Sequence, residues 1–511
     1  MSQNFLDCDR EQAFLMPPSL RDWLPADHLA WFVIETVGRL DLDAFYALYR
    51  ADGHGRAAYD PAMMVCLLTY SYCTKEYSSR GIERHCRQDI AYRVITANEV
   101  PDHATVARFV RRHQEPLAGL FTSVLELCGK AGLVKSGVVA IDGTKLPGNA
   151  SRFVNVDYDR IAREIIEQAI ATDEAEDEEH GEKRGDELPD ELSTDEGRRA
   201  WLARELAARS EERSGTDGES DSVSGHEFDA EQIVARVQGR DGWLLEAKRQ
   251  VDRDRWAEAG PIPRSRSERL WEAGRRLEED LEAKRHGNTA YEHYRATATD
   301  SLGRRLSRYR PKPYQPPETP DGKVNLTDPD SHLMKGNGRV FVQGYNAQAV
   351  VTENQIVLAA EITTEPTDFS QLSPMINATR RELEHAGLSD TPEVAVADAG
   401  YWNERHMDEQ AVQGMAVLIP PDSGNRKGER PGWTGGRYTW MRRLLETDVG
   451  GELYRKRSQT IEPVFGHTKH NRQFTMFHRR GRAAVRTEWR VLMMTHNLTK
   501  LHNHQIATQG V

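Results

Sequence analysis

Two short apolar segments, each ending in an aspartate, decide the fold of this chain. Residues 138–142 read VVAID, and residues 394–398 read VAVAD. Short runs of this kind, rich in valine and isoleucine, are typical of strands buried inside a sheet. The carboxyl ends of neighbouring strands in an open α/β sheet meet at one crevice. We therefore expect Asp142 and Asp398 to lie close together at the edge of a buried sheet.

Two close carboxylates repel each other unless a cation lies between them, so the pair predicts a metal site. Oxygen-only ligands favour Mg²⁺ or Mn²⁺ over zinc or copper. The best third ligand is Glu462 in TIEPVFGHTK, where Thr460 is predicted to cap the helix that begins there. Lys469 lies seven residues later and returns to the same helical face. The alternative is that the three carboxylates never meet; the basic residues on both sides of Glu462 make it less favoured.

Other candidate residues compete with this set. Asp368 in TTEPTDFS is a second choice for the ligand role given to Asp398, but it follows a proline-containing loop rather than an apolar strand. Asp328 and Asp330 are predicted to be turn or capping residues. Lys145, just beyond the first strand, is placed to approach a phosphate, although a lysine at a strand end is usually only solvated.

A loop rich in glycine and arginine is a further candidate. Residues 424–438 read GNRKGERPGWTGGRY and interleave Trp433 and Tyr438 with basic residues. This pattern fits nucleic-acid binding by stacking and phosphate contact, and it fits equally well an aromatic core inside a long loop. Histidines 496, 502 and 504 lack a Cys or acidic partner at zinc-site spacing.

The charge of the chain is unevenly distributed. The 511 residues carry a net charge of −12, which on its own argues against a nucleic-acid partner. Residues 161–230, however, hold 23 acidic and 8 basic residues, whereas residues 421–511 hold 17 basic and 7 acidic residues. The acidity is local, and the C-terminal fifth is basic. Five scattered cysteines, a polar N-terminus and the lack of a long apolar run favour a reduced cytoplasmic protein without a membrane span.

The chain divides into three parts. Residues 1–135 show helical periodicity and are predicted to form an all-α domain. Residues 136–155 and 325–511 are predicted to form one α/β domain, a mixed sheet flanked by helices. Residues 156–324 interrupt it with charged, mostly helical sequence and disordered joints, most simply a solvated spacer or a protein-binding surface.

The last helix of the N-terminal part, with Asp102 as its predicted N-cap, carries Arg108, Arg111 and Arg112. Several short helices ending in an arginine-bearing one are typical of a helix-turn-helix array that binds DNA. An ordinary helical packing domain explains the same pattern equally well.

The ordered set of motifs resembles the DDE transposases of bacterial insertion sequences. VVAIDGTK, VADAGYW and the Tyr-x-x-Arg…Glu…Lys block carry the resemblance, together with NLTDPDSHLMKGNGRVFVQGYNAQAVV and the N-terminal stretch YSYCTKEYSSRGIERHCRQDIAYRVITANEVPDHATVARF. The resemblance covers most of the chain outside residues 156–324.

The resemblance implies an RNase H-like catalytic fold in which Asp142, Asp398 and Glu462 bind two Mg²⁺ or Mn²⁺ ions. The family places a lysine seven residues after the glutamate, as Lys469 is here. It also places Tyr and Arg seven and four residues before the glutamate, where this chain has Arg455 and Ser458. A tyrosine and an arginine lie one position further upstream. The residues expected to contact DNA are Lys145, Tyr454, Arg457, Lys469 and Arg472.

The sequence thus favours a transposase that cleaves and joins DNA at the terminal inverted repeats of an element. Because two ends are joined to one target DNA, a homodimer or larger synaptic complex is expected. The alternative is a non-catalytic DNA-binding protein derived from a transposase. Glycoside hydrolysis by paired carboxylates explains neither the basic segment nor the arginine-bearing helices.

Overall fold

A six-stranded mixed sheet carries the two aspartate-bearing segments. The computed structural model describes residues 19–49, 57–135, 137–180, 190–216, 239–257, 262–298, 314–336, 340–422 and 435–509. The strands are β1 (Val138–Pro147), β2 (Asn155–Val156), β3 (Val324–Asn325), β4 (His332–Lys335), β5 (Phe341–Thr352), β6 (Val357–Thr363), β7 (Val394–Ala397) and β8 (Ala416–Leu418). The sheet has the order β4-β5-β1-β7-β8, and β6 also pairs with β5.

The directions of the strands make the sheet mixed, as expected. β1 runs antiparallel to β5 and parallel to β7, and β7 runs parallel to β8. β5 and β6 form the predicted hairpin, whose predicted turn at Glu353 and Asn354 is confirmed. The next residue, Gln355, has φ of 61°, a left-handed conformation that tight turns often require.

The N-terminal part is helical in the described residues. Asp60 and Asp102 cap two of its helices through their side chains, as their positions before helical segments predict. Its helices are Leu29–Val37, Asp43–Tyr46, Pro61–Cys73, Ser79–Gln88, Ile90–Ile95, His103–Arg112 and Gln114–Lys130. The last of these packs along the C-terminal helix Arg482–Gln509. The apolar core therefore continues from these helices into the sheet.

The helices that lie between and after β6, β7 and β8 along the chain complete the α/β part. They are Leu372–His385, Glu404–Val412, Gly436–Glu446, Asp448–Thr460, Glu462–Gly466 and the C-terminal helix Arg482–Gln509. Trp489 of the C-terminal helix is fully buried and donates its indole N–H to the carbonyl of Gln348 in β5 at 2.9 Å. This bond fixes the C-terminal helix on the sheet face.

Residues 156–324 form a packed helical unit in their described parts. The helices are Tyr158–His180, Asp195–Thr216, Arg240–Ala257 and Arg266–Thr297. An apolar cluster that includes Ile161, Leu202 and Leu270 holds the first, second and fourth of them together, and Trp243 of the third packs against Tyr291 of the fourth. β2 and β3 pair at the point where the chain leaves and re-enters the α/β part, so both ends of the insertion lie side by side.

This insertion also contacts the sheet region directly, so a solvated spacer is an incomplete description. Arg276 pairs with Asp330 at 2.7 Å, and Arg249 pairs with Glu365 at 2.9 Å. The joints predicted to be disordered fall largely on residues 181–189, 217–238, 258–261 and 299–313, which lie outside the described residues. Within the described ranges, no helix is long and apolar enough to cross a membrane.

Candidate active site

The register of β1 and β7 brings the two predicted aspartates together. These parallel strands pair from Val138 opposite Val394 to Ile141 opposite Ala397. Asp142 and Asp398 are the next residues on their strands, so both follow the last paired position. The prediction that Asp142 ends its strand was wrong in detail, because β1 continues to Pro147 by pairing with β5. Asp398 does follow the end of β7 and caps a short 3-10 helix by accepting from the N–H of Gly400.

The two aspartates share an electrostatically unfavourable environment. Burial raises the pKa of Asp142 to about 7, and the neighbouring Asp398 adds to the rise. Arg457 and the N–H of Gly143 oppose it. Burial also raises the pKa of Asp398. Strong perturbation by burial and by a like charge is characteristic of functional carboxylates.

Glu462 is linked to Asp142 by an arginine that contacts both carboxylates. Arg457 Nη1 donates to Asp142 Oδ2 at 3.0 Å, and Arg457 Nη2 donates to Glu462 Oε1 at 3.3 Å. The Asp142 and Arg457 side chains are 18% exposed, whereas the Glu462 side chain is 57% exposed. One guanidinium thus bridges two of the three predicted ligands.

Arg457 reaches the site although it lies one position upstream of the spacing that the family resemblance implies. The helix Asp448–Thr460 ends before Ile461, and a second helix begins at Glu462. Pro463 has no N–H to donate to the carbonyl of Gln459, and its ring disfavours a regular helix there. From the last turns of the first helix, Arg457 contacts both Asp142 and Glu462. The predicted N-cap role of Thr460 was wrong, because Thr460 is buried at the end of the preceding helix.

Three of the other predicted DNA contacts lie near the carboxylates. Tyr454 is adjacent to Arg457, and burial raises the pKa of its hydroxyl. Lys469 donates to the hydroxyl of Thr144 on β1; burial lowers the pKa of Lys469, while Asp142 opposes that effect. Lys145 Nζ donates to the carbonyl of Lys335 at 3.0 Å.

Arg472 does not lie where a DNA contact requires it. Its side chain is buried and donates to the carbonyls of Tyr72 and Leu492 and to the hydroxyl of Thr495. It ties the N-terminal helices to the C-terminal helix, so its assignment to DNA is corrected to a structural role.

Much of the basic C-terminal segment is also turned inward. Arg486 pairs with Glu361, and Arg490 is 4% exposed and pairs with Glu382 at 2.7 Å. In the glycine-rich loop, Tyr438 is buried and donates to Asp422, so it is not a stacking surface. Trp433 lies outside the described residues.

Asp368, which the sequence ranked below Asp398, also lies at the site. Its Oδ1 accepts from the amides of Asn346 at 2.8 Å and Gln348 at 2.7 Å, both on β5. Its charge contributes to raising the pKa of both Asp142 and Asp398. Alternation along β5 is the sequence signal that places Asn346 and Gln348 on one face.

These residues fit a divalent cation by their chemistry. Among the described residues, no three His, Cys, Asp or Glu side chains enclose an ion as they stand. The guanidinium of Arg457 occupies the space between Asp142 and Glu462 and supplies a positive charge there. All candidate donors are carboxylate oxygens, which suit Mg²⁺ and Mn²⁺.

Comparison with known protein families agrees with this geometry. Residues 18–112 match a family described as Transposase domain (DUF772), and residues 316–498 match the Transposase DDE domain. The second match contains Asp398 and Glu462, whereas Asp142 lies outside both. Comparisons with curated proteins and with solved structures gave no significant match.

The Transposase DDE domain implies an RNase H-like fold and enzymes that use divalent metal ions. The mixed sheet with flanking helices agrees with that fold. Both matches name transposases, and together they cover more than half of the chain. The chain belongs to the insertion-sequence DDE transposases.

Proposed function

We propose that this protein cleaves DNA strands at the ends of an insertion sequence and joins them to target DNA. We further propose that Asp142, Asp398 and Glu462 hold the required Mg²⁺ or Mn²⁺ ions, two in number. The observations that carry the proposal are the pairing of β1 with β7, which sets Asp142 beside Asp398, and the guanidinium of Arg457, which joins Asp142 to Glu462. When bound, the ions supply a nucleophile and stabilise charge on the leaving oxygen.

The chain's own residues position the DNA backbone for this reaction. Arg457 is buried against Asp142 and offers a planar guanidinium that matches phosphate geometry. Lys469 places its ammonium group at Thr144 of β1, where the charge of Asp142 acts on it. Lys145 reaches the carbonyl of Lys335 in β4 and lines a cavity together with Asp368. Tyr454 lies beside Arg457. These four side chains would fix the DNA backbone relative to the carboxylates.

A cleft away from the carboxylates is suited to the rest of the DNA. A cavity of about 1110 Å³ lies between the N-terminal helices, the insertion and the segment before the C-terminal helix. Arg111, Arg264 and Arg480, one from each of these parts, line it and are exposed. Arg480 is held by the carbonyl of Asn149 at 3.0 Å.

The distance along β1 fits a duplex that spans both places. From Asp142 to its end at Pro147, β1 extends about 17 Å, and Asn149, two residues further, lines the cleft. Such a span corresponds to roughly five base pairs of duplex DNA. We therefore propose that the N-terminal helices and the insertion bind the element end beyond the cleaved phosphate.

The second candidate function is DNA binding without catalysis. The exposed arginines of the cleft support it as well as they support the enzyme. It leaves unexplained why Asp142 and Asp398, both partly buried, lie just beyond the paired part of β1 and β7, where their repulsion costs stability.

The deciding experiment uses the full chain, Mg²⁺ and a duplex that carries the element end. The wild type should nick the duplex at the end of the element. Asp142→Asn and Asp398→Asn should lose cleavage by at least about 10³-fold and keep binding in a gel-shift assay, because only the ligands are changed. Asp390→Asn, an exposed position four residues before β7, should cleave normally. Unchanged cleavage by Asp142→Asn contradicts the enzyme proposal, and wild-type binding without cleavage favours the second candidate.

A further inference from the structure

A third aspartate lies near the two predicted metal ligands Asp142 and Asp398. Asp368 belongs to the loop between β6 and the helix Leu372–His385. Two amides on β5 hold its Oδ1, which leaves Oδ2 as the oxygen that neither amide contacts. The loop thus places the Asp368 carboxylate near Asp142 and Asp398, with Oδ2 not held by either amide.

Two glycines make the room for this side chain. A Cβ placed on Gly143 would lie 2.7 Å from Asp368 Oδ1 and 2.2 Å from Gln348 Nε2, so only glycine fits beside Asp142. A Cβ on Gly400 would lie 2.9 Å from Asp398 Oδ1 and 3.7 Å from Asp368 Oδ2. Asp368 is therefore adjacent to the backbone that carries both other aspartates.

A buried acceptor without a hydrogen-bond partner points at the same space. Asn346 is 1% exposed, and its Oδ1 has no partner among the described residues. A Cβ on Gly143 would lie 2.8 Å from this oxygen, about as far as from Asp368 Oδ1. Buried polar atoms are normally satisfied, and an exception in a native fold is often explained by an ion or a water molecule. A cation with its water shell beside Asp142 would satisfy this oxygen.

The insertion fixes the loop that carries Asp368. Arg249 of the helix Arg240–Ala257 pairs with Glu365 at 2.9 Å, and the hydroxyl of Ser370 donates to the same carboxylate. Glu365 and Ser370 flank Asp368 on both sides. The insertion therefore has a positioning contact next to the catalytic carboxylates.

From these contacts we infer that Asp368 is a fourth carboxylate of the metal centre, with Arg249 of the insertion as its positioning residue. The inference rests on the proposed function, because it assumes that Asp142 and Asp398 bind metal. If Asp368 had only a structural role, a neutral asparagine at this position could accept the hydrogen bonds from the two amides equally well. As an aspartate it adds a negative charge next to two other carboxylates, and a bound cation relieves the repulsion among the three.

The test measures Mn²⁺ binding to the full chain by the electron paramagnetic resonance signal of free Mn²⁺. The wild type should bind Mn²⁺, and Asp142→Asn should lose most of this binding. Asp368→Asn keeps an acceptor for the two amides and should weaken binding about 10-fold or more, or lose one ion. Asp390→Asn should bind as the wild type does.

The outcomes separate the two proposals. If the wild type binds no Mn²⁺, the proposed metal-dependent function fails. If the wild type binds Mn²⁺ and Asp368→Asn binds it with equal affinity and number, the role of Asp368 is overturned. Thermal unfolding without metal checks the fold of each variant, and Asp368→Ser repeats the measurement should the asparagine variant unfold. Arg249→Gln should weaken Mn²⁺ binding less than Asp368→Asn, because it only loosens the loop.

Discussion

Arg457 donates to Asp142 Oδ2 at 3.0 Å and joins it to Glu462, although 315 residues separate Arg457 from Asp142 along the chain. In this ion pair the positive guanidinium of Arg457 contacts the carboxylate of Asp142, which is the carboxylate that we propose to bind the metal ion. Burial raises the pKa of Asp142, so its ionised carboxylate is costly to keep in the fold without a positive partner such as Arg457. The guanidinium and a divalent ion thus offer the same carboxylates alternative positive partners.

Replacing Arg457 tests whether the shifted arginine is the functional one. Arg457→Gln should lower the rate of strand cleavage about 100-fold at saturating Mg²⁺, because the half-buried guanidinium that we propose to contact the phosphate is lost. Arg455→Gln is the matched control, since Arg455 is exposed and donates to the carbonyl of Gly451. A larger loss with Arg455→Gln would show that Arg457 is not the functional arginine.

Replacing Arg472 separates a structural arginine from a DNA-binding one. Arg472→Met leaves the carbonyls of Tyr72 and Leu492 and the hydroxyl of Thr495 without their donors. The free energy of unfolding should fall by about 3 kcal/mol, measured by urea denaturation. Arg480→Met, at the exposed cleft, should leave stability nearly unchanged and weaken DNA binding. If Arg472→Met instead weakened DNA binding and left the free energy of unfolding unchanged, Arg472 would be a DNA contact.

The pKa of Asp142 predicts how metal binding depends on pH. Burial and the neighbouring Asp398 raise that pKa to about 7, so the carboxyl is protonated below this value. A proton competes with the ion, and apparent Mn²⁺ affinity should fall up to about tenfold per pH unit below pH 7. Calorimetric titrations from pH 5.5 to 8 measure this slope. Glu462→Gln should bind more weakly and keep the slope, whereas a flat profile in the wild type would contradict the assignment.

His496 predicts a separate pH dependence, in the stability of the fold. Its imidazole is buried, and burial lowers its pKa to about 3 because it disfavours the charged, protonated form. Its Nε2 lies 2.9 Å from the carbonyl oxygen of Gln355. Below about pH 6.5 the unfolded chain binds a proton there that the folded chain does not. Stability should therefore rise with pH between about 3 and 6.5, by up to about 1.4 kcal/mol per unit, and stay level above.

His496→Gln should reduce that slope, and the exposed His470→Gln should not. Urea denaturation at several pH values between 4 and 7 measures both. An equal slope in the wild type and in His496→Gln would assign the effect to other groups.

The sequence predicted the parts of the site that depend on local patterns. VVAID and VAVAD are apolar enough to be strands, and the aspartate at the end of each segment marks where the parallel pairing stops. Glu462 at the start of a helix is likewise a local feature. The predicted N-cap role of Thr460 was wrong, because Thr460 belongs to the preceding helix and its side chain is buried there.

Contacts between distant residues were beyond the sequence. The charges of Arg486 and Arg490 suggested a basic surface, yet Glu361 and Glu382, more than 100 residues earlier, neutralise them internally. Asp368 lacked a strand before it and was ranked second. Its place beside Asp142 depends on amides of β5 and on Gly143. Pairing of this kind depends on the folded chain rather than on spacing.

Anomalous diffraction from Mn²⁺-soaked crystals of the full chain can locate the divalent ion that we assign to Asp142, Asp398 and Glu462. We expect an anomalous peak about 2 to 2.5 Å from carboxylate oxygens of Asp142 and Asp398. We also expect that Arg457 no longer contacts Asp142 Oδ2. If no peak is seen at saturating Mn²⁺ and the Arg457–Asp142 pair is intact, these residues do not hold the ion.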